Sequence, residues 1–132
     1  MNILVLGGNT RELLSSHAAA SEPHESCALL FGDEQEDRTV VREVYPARNA
    51  DESPVSFSIS PEELIRGYVK AGEMGLDVVG IFHSHPSSEA APSGKDRQYM
   101  ITNPVPWLIY SGIDGSFRAY ILDGDIAEIR VC

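Results

Sequence analysis

Val78-Val79-Gly80-Ile81-Phe82-His83-Ser84-His85-Pro86 is the stretch on which the reading of this chain turns. Val78 to Phe82 is the most apolar run in the sequence, interrupted only by Gly80, and it predicts a buried strand. Side chains alternate faces along a strand, so His83 and His85 share one side of its end while Ser84 points away. Pro86 lacks a backbone donor and stops the ladder. After a six-residue spacer comes Ser93-Gly94-Lys95-Asp96. Here Ser93 predicts a helix N-cap, with Asp96 at the start of that helix. Two imidazole nitrogens and an Asp96 oxygen form a three-ligand set of the kind catalytic zinc uses, with one position open for water. An acid that can shuttle a proton stands upstream at Glu25.

A His-x-His pair at a strand end is on its own more often a surface pair or a satisfied core pair. The complete pattern is Glu25, then His83-x-His85-Pro86, six residues, Ser93, two residues and Asp96. It resembles the JAMM (MPN-plus) metalloprotease family at every position. Glu25-Ser26-Cys27-Ala28-Leu29-Leu30-Phe31-Gly32 is similar to that family's Glu-x-Cys-Gly-aliphatic-aliphatic-x-Gly strand, with Ala28 in place of the usual Gly. Asn49-Ala50, Ser53-Pro54 and Phe57 are similar to the segment before the middle helix in small prokaryotic members, so the likeness covers nearly the whole chain.

The resemblance implies zinc, one ion per chain, held by His83, His85 and Asp96. It gives Glu25 the role of proton shuttle and Ser93 that of oxyanion donor. The substrate it implies is a ubiquitin-like modifier ending in Gly-Gly, cut from lysine conjugates or linear fusions, as in the small archaeal desampylase-like group. Bacterial members offer a second reading, the trimming of a sulfur-carrier protein in cysteine biosynthesis. A non-catalytic MPN-type binding scaffold is a third, disfavoured because no ligand position is lost. A base deaminase is excluded by the missing Pro-Cys-x-x-Cys signature.

The chain has 132 residues, enough for one compact domain spanning 1–132 with one core. Twenty acids face ten bases, a net charge of −10 that disfavours nucleic-acid phosphates. Eight of the bases are arginine; the lysines are Lys70 and Lys95. Such an acidic, lysine-poor surface suits a salt-rich cytoplasm, and a haloarchaeal source is the favoured expectation over an ordinary acidic bacterial one. No run approaches a membrane span, and Met1 to Leu6 lacks the basic flank and length of a secretory signal, so a cytoplasmic location is expected. Cys27 reads as a small buried hydrophobe and Cys132 as an exposed, incidental thiol.

Met1 to Leu6 predicts a first strand, and Asn9 with Glu12 a capping box opening a helix to about Ala20. Strands are expected over Ser26 to Phe31, Thr39 to Tyr45 and Val55 to Ile59, with Gly32 to Asp37 as a solvated turn. Ser60, Pro61 and Glu63 predict a second capped helix that ends near Gly72 or Gly75. Strands at Trp107 to Tyr110 and Ser116 to Leu122 precede a tight Asp123-Gly124 hairpin into Ile126 to Val131. Ser87 to Pro92 reads as a flexible rim. His17 and His24 read as surface residues, and Trp107 and Tyr110 as core or groove aromatics. The expected fold is α+β: a single curved, mixed but mostly antiparallel sheet flanked by helices, which the resemblance likens to the cytidine deaminases.

Overall fold

The computed structural model describes residues 3–132, so the Met1 and Asn2 part of the expected first strand lies outside the described residues. The chain runs β1 (Ile3–Leu6), α1 (Thr10–Ser21), β2 (Cys27–Gln35), β3 (Arg38–Ala47), α2 (Pro61–Glu73) and β4 (Asp77–His85). It continues through α3 (Gly94–Thr102), β5 (Trp107–Ser111), β6 (Phe117–Asp123) and β7 (Asp125–Val131). No helix among the described residues is long and apolar enough to cross a membrane.

The strands are mixed and mostly antiparallel as expected, but they do not form the single curved sheet flanked by helices that the sequence suggests. They close into a barrel in the order β1-β3-β2-β4-β5-β6-β7. Closure comes from β1, which pairs in parallel with β3 on one side and with β7 on the other, Ile3 opposite Arg130 and Leu4 opposite Val131. The Leu6 N–H donates to the Cys132 carbonyl and the Cys132 N–H to the Leu4 carbonyl, both at 2.9 Å. The β4–β5 pair is also parallel, which leaves four antiparallel pairs. Joining the two terminal strands removes both free edges of the sheet.

Alternation along the strands divides the apolar residues between two clusters. All seven strands feed one, through Leu4, Leu30, Val41, Phe82, Leu108, Ala119 and Ile129, and α1 adds Leu14. This is the enclosed face of the wall. The other contains Leu29, Phe31, Ile81, Trp107 and Ile109 under α2 and α3, which contribute Ala71 and Met100. His83 belongs to this second face, because Cys27 lies opposite it and Phe57 stacks on its ring.

Local differences from expectation have local causes. β2 continues through Gln35, so the turn shrinks to Glu36 and Asp37, with Glu36 at φ 42°. The alternating Val55 to Ile59 forms no strand. Its polar groups are satisfied by side chains: Asn49 Nδ2 donates to the Ser56 carbonyl, Asn49 Oδ1 accepts from the Ser58 N–H, and Asp51 accepts from both Ser56 and Ser58 hydroxyls. Asn9 makes no side-chain cap bond to α1. Ser60 does cap α2, but Glu63 accepts from the Arg48 N–H instead of turning back to Ser60. The Asp123-Gly124 hairpin forms as expected, with Gly124 at φ 74°, a conformation that favours glycine.

Candidate metal centre

His83 and His85 are the last residues on one face of β4, between β2 and β5. His83 is fully buried and His85 nearly so. Continuing the β2–β4 register past Cys27–His83 sets Ser26 against Ser84 and Glu25 against His85. Asp96 enters from α3, where a reciprocal capping box fixes it. The Asp96 N–H donates to Ser93 Oγ at 3.0 Å, and the Ser93 N–H donates to Asp96 Oδ2 at 2.9 Å.

That same Oδ2 lies 3.0 Å from His83 Nε2 and 3.2 Å from His85 Nε2, and the two Nε2 atoms are 3.0 Å apart. His85 Nδ1 is 2.8 Å from the Glu89 carbonyl, which only accepts, so Nδ1 carries the proton and donates. In the neutral ring this leaves a lone pair on Nε2, directed at the other two atoms. Three electron-rich atoms in so small a triangle repel one another unless a cation or shared protons lie between them. Ligands at zinc's ~2.0–2.1 Å bond lengths around a tetrahedron sit about 3.3 Å apart, close to this triangle. The residues therefore fit a metal ion.

Glu25 completes the cluster. A carboxylate oxygen of Glu25 lies within 4.8 Å of ligand atoms of both histidines. Its side chain is buried, and Oε1 has no hydrogen-bond partner among the described residues. Two carboxylates thus approach the imidazole pair. Asp96 Oδ2 is in direct contact with both rings, whereas the Glu25 carboxylate lies within 4.8 Å of them.

The electrostatics follow from burial and these contacts. Desolvation pushes the Glu25 carboxyl up to about 8, against the pull of His85 and Lys95. Burial also opposes ionisation of Asp96, but the hydrogen bonds with His83 and His85 outweigh it and hold this carboxyl below its ordinary range. Burial lowers His83 despite its contact with Asp96. His85 goes the other way, because Asp96 and the Glu89 carbonyl overcome desolvation. A pair of carboxyls driven apart in this manner is a common mark of an acid–base site.

Ser93 is exposed at the mouth of the cluster. Its oxygen accepts the Asp96 N–H, which leaves its own hydroxyl hydrogen to donate elsewhere. The structure thus brings together Glu25, His83, His85, Ser93 and Asp96. It sets aside His17, half-buried with Nε2 2.9 Å from the Cys27 carbonyl, and His24. Cys27 is buried and its thiol is pushed up to about 12, chiefly by desolvation, consistent with packing.

Two contributions escaped the sequence reading. Phe57 stacks on His83 with centroids 4.5 Å apart, and with Ile59, Leu64, Ile81, Tyr99 and Trp107 it lines an apolar cleft of about 80 Å³. Only its place in the quoted Ser53-Pro54…Phe57 segment hinted at a role. The second is the rim over residues 87–92, which is held by side chains and is not the loose segment expected. Ser111 Oγ donates to the Ser88 carbonyl at 2.8 Å and Tyr120 Oη to the Ala90 carbonyl at 2.6 Å.

A family model described as prokaryotic homologs of the JAB domain matches residues 9–122. The chain belongs to the JAB-domain family. This JAB-domain protein is 40% identical over 114 residues to a protein named desampylase from Pyrococcus furiosus, a match covering 85% of this chain and 78% of the relative. It is 34% identical over 127 residues to a desampylase from Haloferax volcanii, covering 92% and 89% of the two chains. Over 130 residues it is 28% identical to the CysO-cysteine peptidase of Mycobacterium tuberculosis, covering 96% and 88%.

Proposed function

We propose that this JAB-domain protein is a zinc-dependent isopeptidase and peptidase. It cuts after the C-terminal Gly-Gly of a ubiquitin-like modifier, releasing it from lysine conjugates or linear fusions. The observation that carries this reading is the convergence of His83, His85 and Asp96 within 3.2 Å, with the buried Glu25 beside them. The desampylase names of two relatives that match most of the chain support the substrate class.

Zinc held by His83, His85 and Asp96 would lower the pKa of a bound water from ~15.7 to around 7 and polarise the scissile carbonyl. Glu25, buried beside the ligand triangle, takes the proton of the attacking water and returns it to the departing lysine amine. The Ser93 hydroxyl donates to the developing oxyanion, a contribution worth roughly 2.7–4 kcal/mol in comparable sites. The His85 ring is held by the Glu89 carbonyl and the Asp96 carboxylate by the Ser93 N–H, so neither must reorganise during turnover.

The resemblance to a CysO-cysteine peptidase favours a second substrate, a sulfur carrier ending in Gly-Gly-Cys. The non-catalytic scaffold is not favoured, since every position of the ligand set is filled. We further assign the chain to one catalytic domain acting in the cytoplasm of a salt-adapted cell, in keeping with its net charge of −10. The deciding experiment incubates the protein, with zinc and in high salt, with two substrates. One is a Gly-Gly modifier joined to a lysine ε-amine, the other a carrier ending in Gly-Gly-Cys. Faster cleavage of the lysine conjugate is expected. Preference for the second substrate would move the protein to carrier processing, and cleavage of neither would overturn the assignment.

A further inference from the structure

His85 owes its orientation to a main-chain carbonyl, that of Glu89 at 2.8 Å, which no substitution can delete. What can be deleted is the set of groups that hold this carbonyl in place. Ser111 Oγ donates to the carbonyl just before it, at Ser88, and Tyr120 Oη to the one just after, at Ala90. Three successive carbonyls of the rim are therefore taken by Ser111, His85 and Tyr120 in turn. The start of the rim is gripped as well. The Gly112 N–H donates to the His85 carbonyl at 2.9 Å, and a Cβ at Gly112 would lie 2.5 Å from the Pro86 carbonyl oxygen. Ser111 is fully buried and Tyr120 7% exposed; the Tyr120 bond is buried, while the Ser111 bond reaches out to the exposed Ser88.

We propose that Ser111 and Tyr120 are positioning residues for the metal centre. Acting through the rim carbonyl of Glu89, they fix the tautomer and ring angle of His85 and so set the affinity for the ion. The inference rests on the metal-site reading given above. Ser111 lies beside His85 in the β4–β5 pair, but the hydroxyls of both residues bond to rim carbonyls, and neither residue carries the metal-binding pattern in sequence. Their hydroxyls act by keeping a Ser- and Ala-rich loop, Ser87-Ser88-Glu89-Ala90-Ala91, from sliding past His85. Outer partners of metal-bound histidines usually contribute ~10–100-fold to affinity when removed.

The test uses the full chain as Tyr120→Phe, Ser111→Ala and the double variant. The zinc dissociation constant is read by competition with a chromophoric chelator, and ring geometry by the visible ligand-field band of the cobalt(II)-loaded protein. The melting temperature of the metal-free protein monitors folding. Each single variant is expected to bind zinc about 10-fold more weakly, near the lower end of outer-partner effects, with a shifted cobalt band and cooperative metal-free unfolding. If the double variant does not fold, the two single variants decide. Zinc affinity within about twofold of wild type together with an unchanged cobalt band would overturn the proposal while leaving the metal site intact. Failure of the wild-type protein itself to bind zinc would overturn both this proposal and the site it serves.

Discussion

Ser84 Oγ accepts both the main-chain N–H and the hydroxyl of Ser26, at 2.9 and 2.8 Å, and the Ser84 N–H returns to the Ser26 carbonyl at 3.0 Å. The residue between the two imidazoles is thereby locked to the residue after Glu25. This pair joins β4 to the start of β2, and both serines are buried. It fixes the offset between the Glu25 carboxyl and the His83–His85–Asp96 triangle from behind.

Ser84→Ala should therefore be costly in two readouts. It strands two buried Ser26 donors, which destabilises the fold by roughly 1–3 kcal/mol. It also lets Glu25 drift, and small misplacements of reacting groups can cost up to ~10²-fold in rate. A lowered melting temperature with reduced kcat and retained zinc is expected. Unchanged kcat in the folded variant would mean that the serine pair is structural only.

Glu25→Ala should separate metal binding from chemistry. The ligand triangle does not include Glu25, so zinc content should survive, while turnover falls by at least the ~10²–10⁴-fold that acid–base catalysis supplies. Metal analysis and rate measurement on the same sample check this. Near-normal turnover would show that another group moves the proton.

The raised Glu25 carboxyl also predicts a pH signature in the metal-free protein. Its ordinary value is 4.5 and its folded value about 8, so between these limits the folded state holds a proton that the unfolded state has released. Stability from this group is complete below the lower limit and is lost as pH rises through the upper one. His83, His85 and Asp96 titrate too, so the effect is read as a difference from Glu25→Gln. Relative to that variant, metal-free wild type should lose melting temperature from about pH 4.5 to 8. Parallel curves would contradict the assigned burial.

Salt should stabilise the protein. Five exposed ion pairs among the described residues, such as Arg42–Asp33 and Arg118–Glu128, weaken when screened, but each contributes only about 0–1 kcal/mol. The excess of ten acids repels across the surface, and this repulsion fades as the screening length falls from ~30 Å at 0.01 M to ~3 Å at 1 M. The melting temperature is expected to rise toward molar sodium chloride. A flat or falling curve would remove the salt-adapted reading.

The site was far more legible in sequence than the barrel. The His83-x-His85 spacing converts directly to a shared face because a strand has a period of two, and Ser93 with Asp96 carries its capping geometry in the residue types themselves. Closure of the wall depends on β1 meeting β7 from the other end of the chain, and no local pattern encodes such a contact. Val55 to Ile59 alternates like a strand, but Asn49 and Asp51 take up its polar groups and Phe57 is spent on His83. The rim looked loose because Ser and Ala carry no order of their own; its order comes from Ser111 and Tyr120, on β5 and β6.

The central claim is tested most directly by metal stoichiometry, measured on wild type, His83→Ala and Asp96→Ala purified without chelator and assayed against a lysine-linked Gly-Gly modifier. One zinc per wild-type chain with cleavage, and loss of both metal and cleavage in each variant, is the predicted result, matching a single three-ligand site. Full zinc occupancy in both variants would contradict it.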